Sequence, residues 1–130
     1  MRTTIFRGKR HDGQWIEGGI AFDDYTDKVF ITQHNTTGLG YLELIEVDPA
    51  TVGQFTGVID RNETRIFEGD RVRIYDVYGE FAGLGVVRWN ELFSAWHVGN
   101  PLTMYGGGVV ASYEVVGNIY DNPELEEAEE

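Results

Sequence analysis

Glu68-Gly69-Asp70-Arg71-Val72-Arg73-Ile74-Tyr75, residues 68–75, combines a turn signal with the strand pattern that recurs along the chain. Its first three residues predict a sharp turn, because glycine adopts backbone conformations that such turns need. The residues that follow alternate strictly, with Val72 and Ile74 on one side and charged or aromatic residues on the other. A period of two residues is typical of a strand with one buried face. The stretch therefore predicts a turn, in which Asp70 bonds backbone amides, followed by a half-buried β-strand.

The same alternation extends outward in both directions and predicts strands along most of the chain. These segments are rich in β-branched and aromatic residues, and no stretch before residue 121 sustains the apolar stripe of a helix. The predicted strands are Thr3–Arg7, Trp15–Phe22, Lys28–Gln33, Tyr41–Val47, Gly53–Ile59, Thr64–Phe67, Arg71–Tyr75, Gly85–Trp89, Ala95–Val98, Val109–Tyr113 and Glu114–Tyr120. Many short strands at this spacing predict a mainly β fold, an antiparallel β-sandwich or a barrel-like fold, with at most short helical turns.

Asp48-Pro49 breaks the strand pattern near the middle of the chain. Asp48 can cap a single helical turn with Pro49 in its first position, where proline loses no hydrogen bond that a helix needs. We therefore expect an N-terminal β subdomain over residues 1–50 and a C-terminal, barrel-like β subdomain over residues 51–122. Residues 123–130 are expected to form a disordered acidic tail, because they hold too little apolar surface to fold alone.

The composition limits both the chemistry and the compartment of the protein. The 130 residues include no cysteine, which excludes disulfides, thiolate metal sites and thiol nucleophiles. The basic residues near the N-terminus have no apolar run behind them, so the sequence predicts neither a signal peptide nor a membrane anchor. We expect a soluble protein of the cytoplasm that does not bind membranes.

The formal net charge of −12 is unevenly distributed along the chain. Six of the 22 acidic residues lie within residues 121–130, so residues 1–120 carry 16 acids and ten bases. An acidic protein repels nucleic acid where its charge is spread evenly over the surface. Five arginines in the second half nevertheless predict a local basic face: Arg61, Arg65, Arg71, Arg73 and Arg88.

The sequence contains none of the familiar catalytic or cofactor motifs. The three histidines form no local ligand pair for a metal, and neither Ser94 nor Ser112 sits in a Gly-x-Ser-x-Gly elbow. The glycine-rich segments match neither phosphate-binding nor dinucleotide-binding loops. Glu68, Asp70 and Glu91 would be the first carboxylates to consider for acid–base chemistry. We predict no catalytic residue, no cofactor and no metal, and expect that the protein is not an enzyme.

Several short segments follow one another along the chain in a recognisable order. They are Phe6-Arg7-Gly8-Lys9-Arg10 with Gly13-Gln14-Trp15, Val47-Asp48-Pro49-Ala50-Thr51-Val52-Gly53-Gln54-Phe55-Thr56-Gly57, Ile66-Phe67-Glu68-Gly69-Asp70-Arg71-Val72, Gly85-Val86-Val87-Arg88-Trp89, and Glu114-Val115-Val116-Gly117-Asn118-Ile119-Tyr120-Asp121-Asn122-Pro123-Glu124-Leu125. Together they cover nearly all of residues 2–125 and closely resemble the YopX family of phage and prophage proteins. The resemblance implies a β-rich fold, a phage or prophage origin and residence in the cytoplasm of the bacterial host. It brings no established biochemical function and no catalytic residues.

One position departs from the pattern of that family. Asn62-Glu63 stands where the family tends to have an Asn-Gly turn. Because glutamate is less suited to positive φ than glycine, we expect a longer turn or a turn of another type.

The second half of the chain also resembles small SH3-like barrels, in which a Gly-Asp step precedes a Val-x-Ile strand as Gly69-Asp70 does here. Gly117-Asn118 falls inside the last predicted strand. Glycine in a strand is typical of a bulge or of a close backbone approach, so we predict one of these at that position.

The leading functional hypothesis is a non-enzymatic module that binds a host or phage protein through aromatic side chains. Tryptophan and tyrosine are enriched in binding surfaces. The candidate surface residues are Tyr75, Tyr78, Phe81, Trp89, Phe93, Trp96 and Tyr105. The alternative for these residues is that the two tryptophans pack in the core and the tyrosines cover its edge.

Other functions remain as alternatives. The five arginines can combine with aromatic residues to bind nucleic acid, although the net charge opposes this. The acidic surface and tail can mimic DNA phosphates and bind a host DNA-binding protein, or the tail can simply improve solubility. Unpaired strand edges also favour a homo-oligomer.

Overall fold

The computed structural model of the chain describes residues 4–34, 41–92, 94–98 and 110–124. Residues 35–40 and 99–109, two predicted surface residues, Phe93 and Tyr105, and the tail from residue 125 onward lie outside this part. The described residues form nine strands and no helix. The strands are β1 Phe6–Lys9, β2 Trp15–Phe22, β3 Val29–His34, β4 Leu42–Ile59, β5 Arg65–Phe67, β6 Asp70–Asp76, β7 Phe81–Asn90, β8 Ala95–Val98 and β9 Val110–Asn118. They build two antiparallel sheets, which confirms the predicted fold class.

The chain divides into two units, Met1–Phe55 and Thr56–Glu130, and the boundary falls inside β4. β4 runs through Asp48-Pro49 without interruption, so two predicted strands are one and the expected helical turn is absent. The reason is a bulge, since Arg7 pairs with Gly53 while Lys9 already pairs with Asp48. A bulge accommodates proline, because the ladder needs no hydrogen bond from its nitrogen there.

In the first unit, β1 to β4 pair in a closed, barrel-like ring. β1 pairs with β2 and β4, β2 pairs with β3, and β3 pairs with β4, all antiparallel. β2 and β4 each pair with two neighbouring strands. The partner of β2 changes from β1 to β3 at Gly18-Gly19, and the partner of β4 changes from β3 to β1 at Val47-Asp48. The core of this unit consists of Ile16, Val29, Ile31 and Val47, with Phe6, Ile20, Ile45 and Val52 packed against it.

Gly18 is the position at which this crossing requires glycine. A Cβ atom there would overlap the backbone carbonyl oxygen of Thr32 on β3, whereas at Gly19 it would meet only the Thr32 hydroxyl, which can rotate away. We expect Gly18→Ala to lower the free energy of unfolding by about 3 kcal/mol, as in overpacked cores. Gly19→Ala is expected to cost markedly less. Urea unfolding of the two variants measures the difference, and equal losses would contradict this account of the crossing.

The second unit contains the end of β4, β5 and a four-stranded sheet in the order β8-β7-β6-β9. Its core consists of Ile66, Val72, Ile74, Val87, Val98 and Tyr113, with Trp96 and Val115 packed against it. As the alternation in β6 predicts, Val72 and Ile74 are buried in this core. The predicted likeness of this unit to an SH3-like barrel stays a prediction.

The opposite face of this sheet carries the polar half of the alternation, and we call it the outer face. Strand register places on it Arg71, Arg73 and Tyr75 of β6, Phe81 and Leu84 of β7, and Ser112 and Glu114 of β9. The predicted bulge near Gly117 is present, since Arg71 pairs with Gly117 and Val72 with Val115, which leaves Val116 as the extra residue.

Three hairpin turns share one geometry: Arg10–Gln14, Asp60–Thr64 and Asp76–Glu80. In each, the N–H of the first residue donates to the carbonyl of the fifth, and the N–H of the fourth donates to the carbonyl of the first. The fourth residue has positive φ in all three, 90° at Gly13, 66° at Glu63 and 82° at Gly79. Asn62-Glu63 therefore forms the same turn as the glycine-containing sequences, and the expectation of a different turn was wrong.

Glu63 bears a backbone cost that glycine at its two counterparts does not. Positive φ costs an ordinary residue roughly 1–2 kcal/mol, and replacing Glu63 with glycine removes this cost. The greater freedom of glycine in the unfolded chain cancels about 0.4–1 kcal/mol of that gain. We expect Glu63→Gly to raise the free energy of unfolding by about 0.5 kcal/mol. The converse change, Gly79→Glu, is expected to lower it. Thermal unfolding tests both variants, and a less stable Glu63→Gly protein would disprove the assignment.

Candidate binding surface

Four predicted site residues, drawn from both the aromatic and the arginine sets, meet on the outer face of the second unit. The guanidinium carbon of Arg61 lies 3.8 Å from the centroid of the Tyr75 ring. That of Arg73 lies 4.2 Å from the centroid of Phe81 and 5.8 Å from that of Tyr75. These are cation–π distances. We call these four residues the arginine–aromatic cluster.

β6 and β7 position three members of the cluster. Arg73 and Tyr75 are two residues apart on β6 and therefore share a face. Phe81 of β7 is the register partner of Tyr75, while Gly83 is the partner of Ile74. The extra residue between these pairs is Ala82, so a bulge turns Phe81 toward the same face as Tyr75.

Arg61 reaches the cluster from the turn between β4 and β5, which is fixed to β9 at two points. The N–H of Arg61 donates to the carbonyl oxygen of Tyr113 at 2.9 Å. In the other direction, the N–H of Val115 donates to Oδ2 of Asp60, also at 2.9 Å. Since β9 pairs directly with β6, this attachment brings Arg61 within reach of Tyr75.

The Asp60 carboxylate is buried and organises the turn. Its Oδ1 accepts hydrogen bonds from the N–H groups of Asn62 and Thr64, in addition to the bond from Val115 to Oδ2. Burial acts to raise the pKa of Asp60, but these three backbone donors outweigh it and hold that pKa below its ordinary value of 3.8, with a further contribution from the Arg61 charge. The carboxylate is therefore charged and fully hydrogen-bonded at neutral pH.

The cluster contains an internal hydrogen-bond chain that ends at Glu114. Nε of Arg73 donates to the Tyr75 hydroxyl oxygen at 3.0 Å, and that hydroxyl donates to Oε1 of Glu114 at 2.9 Å. Oε1 of Glu114 also lies 3.9 Å from Nε of Arg73. The Arg61 guanidinium makes no hydrogen bond or ion pair with any described residue. A guanidinium stacked on a ring presents its N–H groups at its edge, where they bind carboxylates or phosphates.

The sequence profile of the YopX protein family matches residues 6–127. The chain belongs to the YopX family. This confirms the resemblance seen in its sequence segments. Among solved structures, it is similar to the crystal structure of protein EF1440 from Enterococcus faecalis, with 21% sequence identity and a TM-score of 0.58 over 96% of this chain and 99% of that chain. That likeness concerns the fold alone. No curated protein matches the chain.

The two tryptophans proposed for the surface lie elsewhere in this YopX-family protein. Trp89 and Trp96 are register partners on β7 and β8, and their rings pack edge-to-face with centroids 5.0 Å apart. Trp96 packs against the core, and Trp89 alternates with Val87 on the core side while remaining 43% exposed. Tyr78 is 86% exposed at the tip of the β6–β7 turn. The structure therefore separates the tryptophan pair from the arginine–aromatic cluster.

The five predicted basic residues also separate. Arg71 is buried, with 8% of its surface exposed, and makes no stacking contact with the rings of the cluster. Arg65 is exposed on β5, and Arg88 is exposed on β7 beside His97. Only Arg61 and Arg73 stack on the rings of Tyr75 and Phe81 in the described part of the chain.

The sequence did not single out Asp60 or Glu114. A weak signal for Asp60 was present, because Asp76 begins a turn of the same spacing. Nothing local predicts the bond from Val115 to Asp60, which joins residues 55 positions apart. Asp70, named as a possible acid–base group, instead accepts a hydrogen bond from the N–H of Phe67, as predicted for its turn.

The first unit carries an open cleft of about 430 Å³, lined by Arg10, His11, Asp12, Glu43, Leu44, Ile45 and Glu46. Arg10 pairs with Asp12 at 3.3 Å, and Nε2 of His11 lies 3.7 Å from Oε2 of Glu46. Both Arg10 and His11 thus face carboxylates. Within the described ranges, no group of three or more His, Asp or Glu side chains could hold a metal ion. The same ranges contain no helix long and apolar enough to cross a membrane.

Replacing Asp60 tests whether its carboxylate anchors the turn. Asp60→Ala leaves three N–H groups without their acceptor, one of them on β9, and is expected to lower the free energy of unfolding by about 3 kcal/mol. Asp76 provides the matched control, because its Oδ1 accepts two N–H groups in a turn of the same geometry. We expect Asp76→Ala to cost about 1 kcal/mol. Urea unfolding compares the variants, and similar losses would contradict the anchoring role.

The lowered pKa of Asp60 also predicts a pH dependence. A carboxyl group whose pKa is lower in the folded state stabilises the protein fully above its unfolded pKa of about 3.9 and loses this effect as pH falls through the folded pKa. The stability difference between the native protein and Asp60→Asn is therefore expected to be constant near neutral pH and to shrink below about pH 4. Urea unfolding at several pH values measures it. A difference that grows on acidification would have the wrong sign.

Proposed function

We propose that this YopX-family protein is a non-enzymatic protein-binding module and that the arginine–aromatic cluster is its binding surface. The observation that carries the proposal is the stacking of Arg61 on Tyr75 and of Arg73 on Phe81, on a face directed away from the core. Arginine and tyrosine are the residue types that most often dominate binding energy at protein interfaces. Stacking supports this role further, because a guanidinium held against a ring loses less freedom when a partner binds.

The charges of the cluster indicate the kind of partner. Glu114 lies 3.9 Å from Nε of Arg73, and the Asp60 carboxylate next to Arg61 in the chain is buried, so the exposed Arg61 guanidinium is the cation that this surface offers to a partner. Electrostatic complementarity favours partners with a matching negative surface. The proposed partner is accordingly a protein that presents acidic side chains.

The setting of this interaction forms part of the proposal. The resemblance to the YopX family implies a phage or prophage origin, so the partner is a host or phage protein in the bacterial cytoplasm. Nucleic acid is the second candidate ligand, because single strands are often bound by arginines and stacked aromatic rings. The net charge of the protein opposes it at long range.

Affinity capture from a bacterial lysate tests the proposal. The native protein, the double variant Arg61→Gln/Arg73→Gln and the control Arg65→Gln are immobilised, and the recovered proteins are quantified. We expect at least one protein to be recovered with the native chain and the control, and to fall about tenfold with the double variant, which corresponds to a loss of about 1.4 kcal/mol.

The nucleic-acid alternative is measured alongside. A labelled single-stranded oligonucleotide is titrated against the same three proteins at low salt, where attraction to phosphates is strongest. Oligonucleotide binding that the double variant abolishes, together with identical recovery of proteins by all three chains, would replace the protein-binding proposal with nucleic-acid binding.

A further inference from the structure

Arg71 is a buried arginine whose charge no described residue neutralises. Its Nη2 donates only to the backbone carbonyl oxygen of Pro123, at a long 3.4 Å. Its Nε is buried without a hydrogen-bond partner in the part of the chain that the structure describes. No carboxylate in that part lies within ion-pairing distance of the guanidinium. A buried charge without a partner is destabilising, so an anionic group that reached Arg71 would be favoured there.

The end of the described chain lies beside Arg71 on the outer face. Gly117 is the register partner of Arg71, and register partners share a face. A Cβ atom on Gly117 would overlap the side chain of Asn122, which places Asn122 on that face. The bond from Arg71 to the Pro123 carbonyl places the next residue there too. The described chain therefore leaves β9 and reaches the outer face beside Arg71.

The residues that follow Pro123 have the required charge and reach. Residues 124–130 read Glu-Leu-Glu-Glu-Ala-Glu-Glu and carry five glutamates. Arg73 is two positions from Arg71 along β6, a distance of about 7 Å at the usual rise of a strand. Seven extended residues span up to about 23 Å. The acidic segment is long enough to reach Arg71, Arg73 and Arg61.

We propose that the acidic segment Glu124–Glu130 lies along the outer face of its own chain, supplies the missing counter-ion of Arg71 and covers the arginine–aromatic cluster. The surface is thus built to recognise an extended, glutamate-rich segment. This inference rests on the proposed function and specifies its ligand: the partner presents an acidic segment of the same kind and displaces the tail. Tethering provides an effective concentration of about 1 mM, so weak contacts are sufficient to occupy the surface.

The experiment measures competition between the tail and a peptide of the same sequence. The probe is a fluorescein-labelled peptide of residues 121–130, and its binding to full-length protein is followed by anisotropy at low salt. The native chain is compared with a tail-neutral chain carrying E124Q, E126Q, E127Q, E129Q and E130Q. We expect the tail-neutral chain to bind the peptide about tenfold more tightly than the native chain. In the native chain the tethered tail competes at an effective concentration of about 1 mM, which weakens the binding of a peptide with a Kd near 0.1 mM by about that factor. Adding salt should weaken this binding.

Two controls make the result specific. A second chain removes five acidic charges from exposed positions away from the cluster: D12N, D24N, D27N, E43Q and E91Q. It should bind the peptide only slightly better than the native chain, since its surface is still covered. Adding R61Q and R73Q to the tail-neutral chain should abolish peptide binding.

The outcomes separate the two proposals. Equal peptide affinity of the native and tail-neutral chains would overturn the covering role of the tail. An equal gain of peptide affinity in the charge-matched control would also overturn it, because general charge repulsion would then explain the whole effect. Binding that disappears with R61Q and R73Q would in either case leave the proposed function standing. A tail-neutral chain that does not bind the peptide at all would overturn the acidic-segment specificity, while lysate capture would still decide whether the cluster binds another partner.

Discussion

The buried carboxylate of Asp60 is the interaction on which the candidate surface depends. It accepts two N–H groups from its own turn and a third from Val115 on β9, so one side chain both shapes the turn and attaches it to the sheet. A buried charge is tolerated only when hydrogen bonds replace its lost hydration, and here they do so well enough to lower the pKa of Asp60. Arg61 is the next residue in the chain, and its stacking on Tyr75 follows from this attachment.

The two-residue period of β6 separates its core-facing side chains from its outward-facing ones. Bulges in the neighbouring strands β7 and β9 change which of their side chains face outward. Val72 and Ile74 enter the core, while Arg73 and Tyr75 point outward. A bulge reverses the alternation of the strand that contains it. The extra residue Ala82 turns Phe81 outward, and the extra residue Val116 places Gly117 on the outer face, where Asn122 packs against it. Two irregularities thus gather the cluster and the chain end on one face.

Much of this fold could be predicted from the sequence, because its signals are local. Alternation in β6, the turn at Gly69-Asp70 and the bulge beside Gly117 each depend on residues that are neighbours in the chain, and all three are present. Asp48-Pro49 was misleading, since proline ends a regular strand but fits a bulge, and only pairing with β1 shows which of these applies.

The candidate site was less predictable, because its contacts depend on tertiary structure. Residue type alone made Arg61, Arg73, Tyr75 and Phe81 candidates for binding. It made Trp89 and Arg71 candidates on the same grounds. The tryptophan lies on the core side, and the arginine is buried. What distinguishes the arginine–aromatic cluster is the docking of the β4–β5 turn onto β9, a contact between residues 55 positions apart. Sequence composition selects plausible binding residues, whereas register and long-range hydrogen bonds decide which of them meet.

The net charge of −12 opposes anionic ligands at long range but acts weakly on a ligand already at the surface, because charge is screened in salt solution. The screening length is about 8 Å at physiological ionic strength, so a ligand on the cluster experiences mainly Arg61, Arg73, Glu114 and the buried Asp60. Six of the acidic residues lie at the very end of the chain, next to the point where Pro123 contacts Arg71. With the tail on the outer face, those charges neutralise the arginines rather than repel a ligand from a distance. A competing ligand must then replace several carboxylates at once, which an acidic protein segment does with matched geometry and an isolated anion does not.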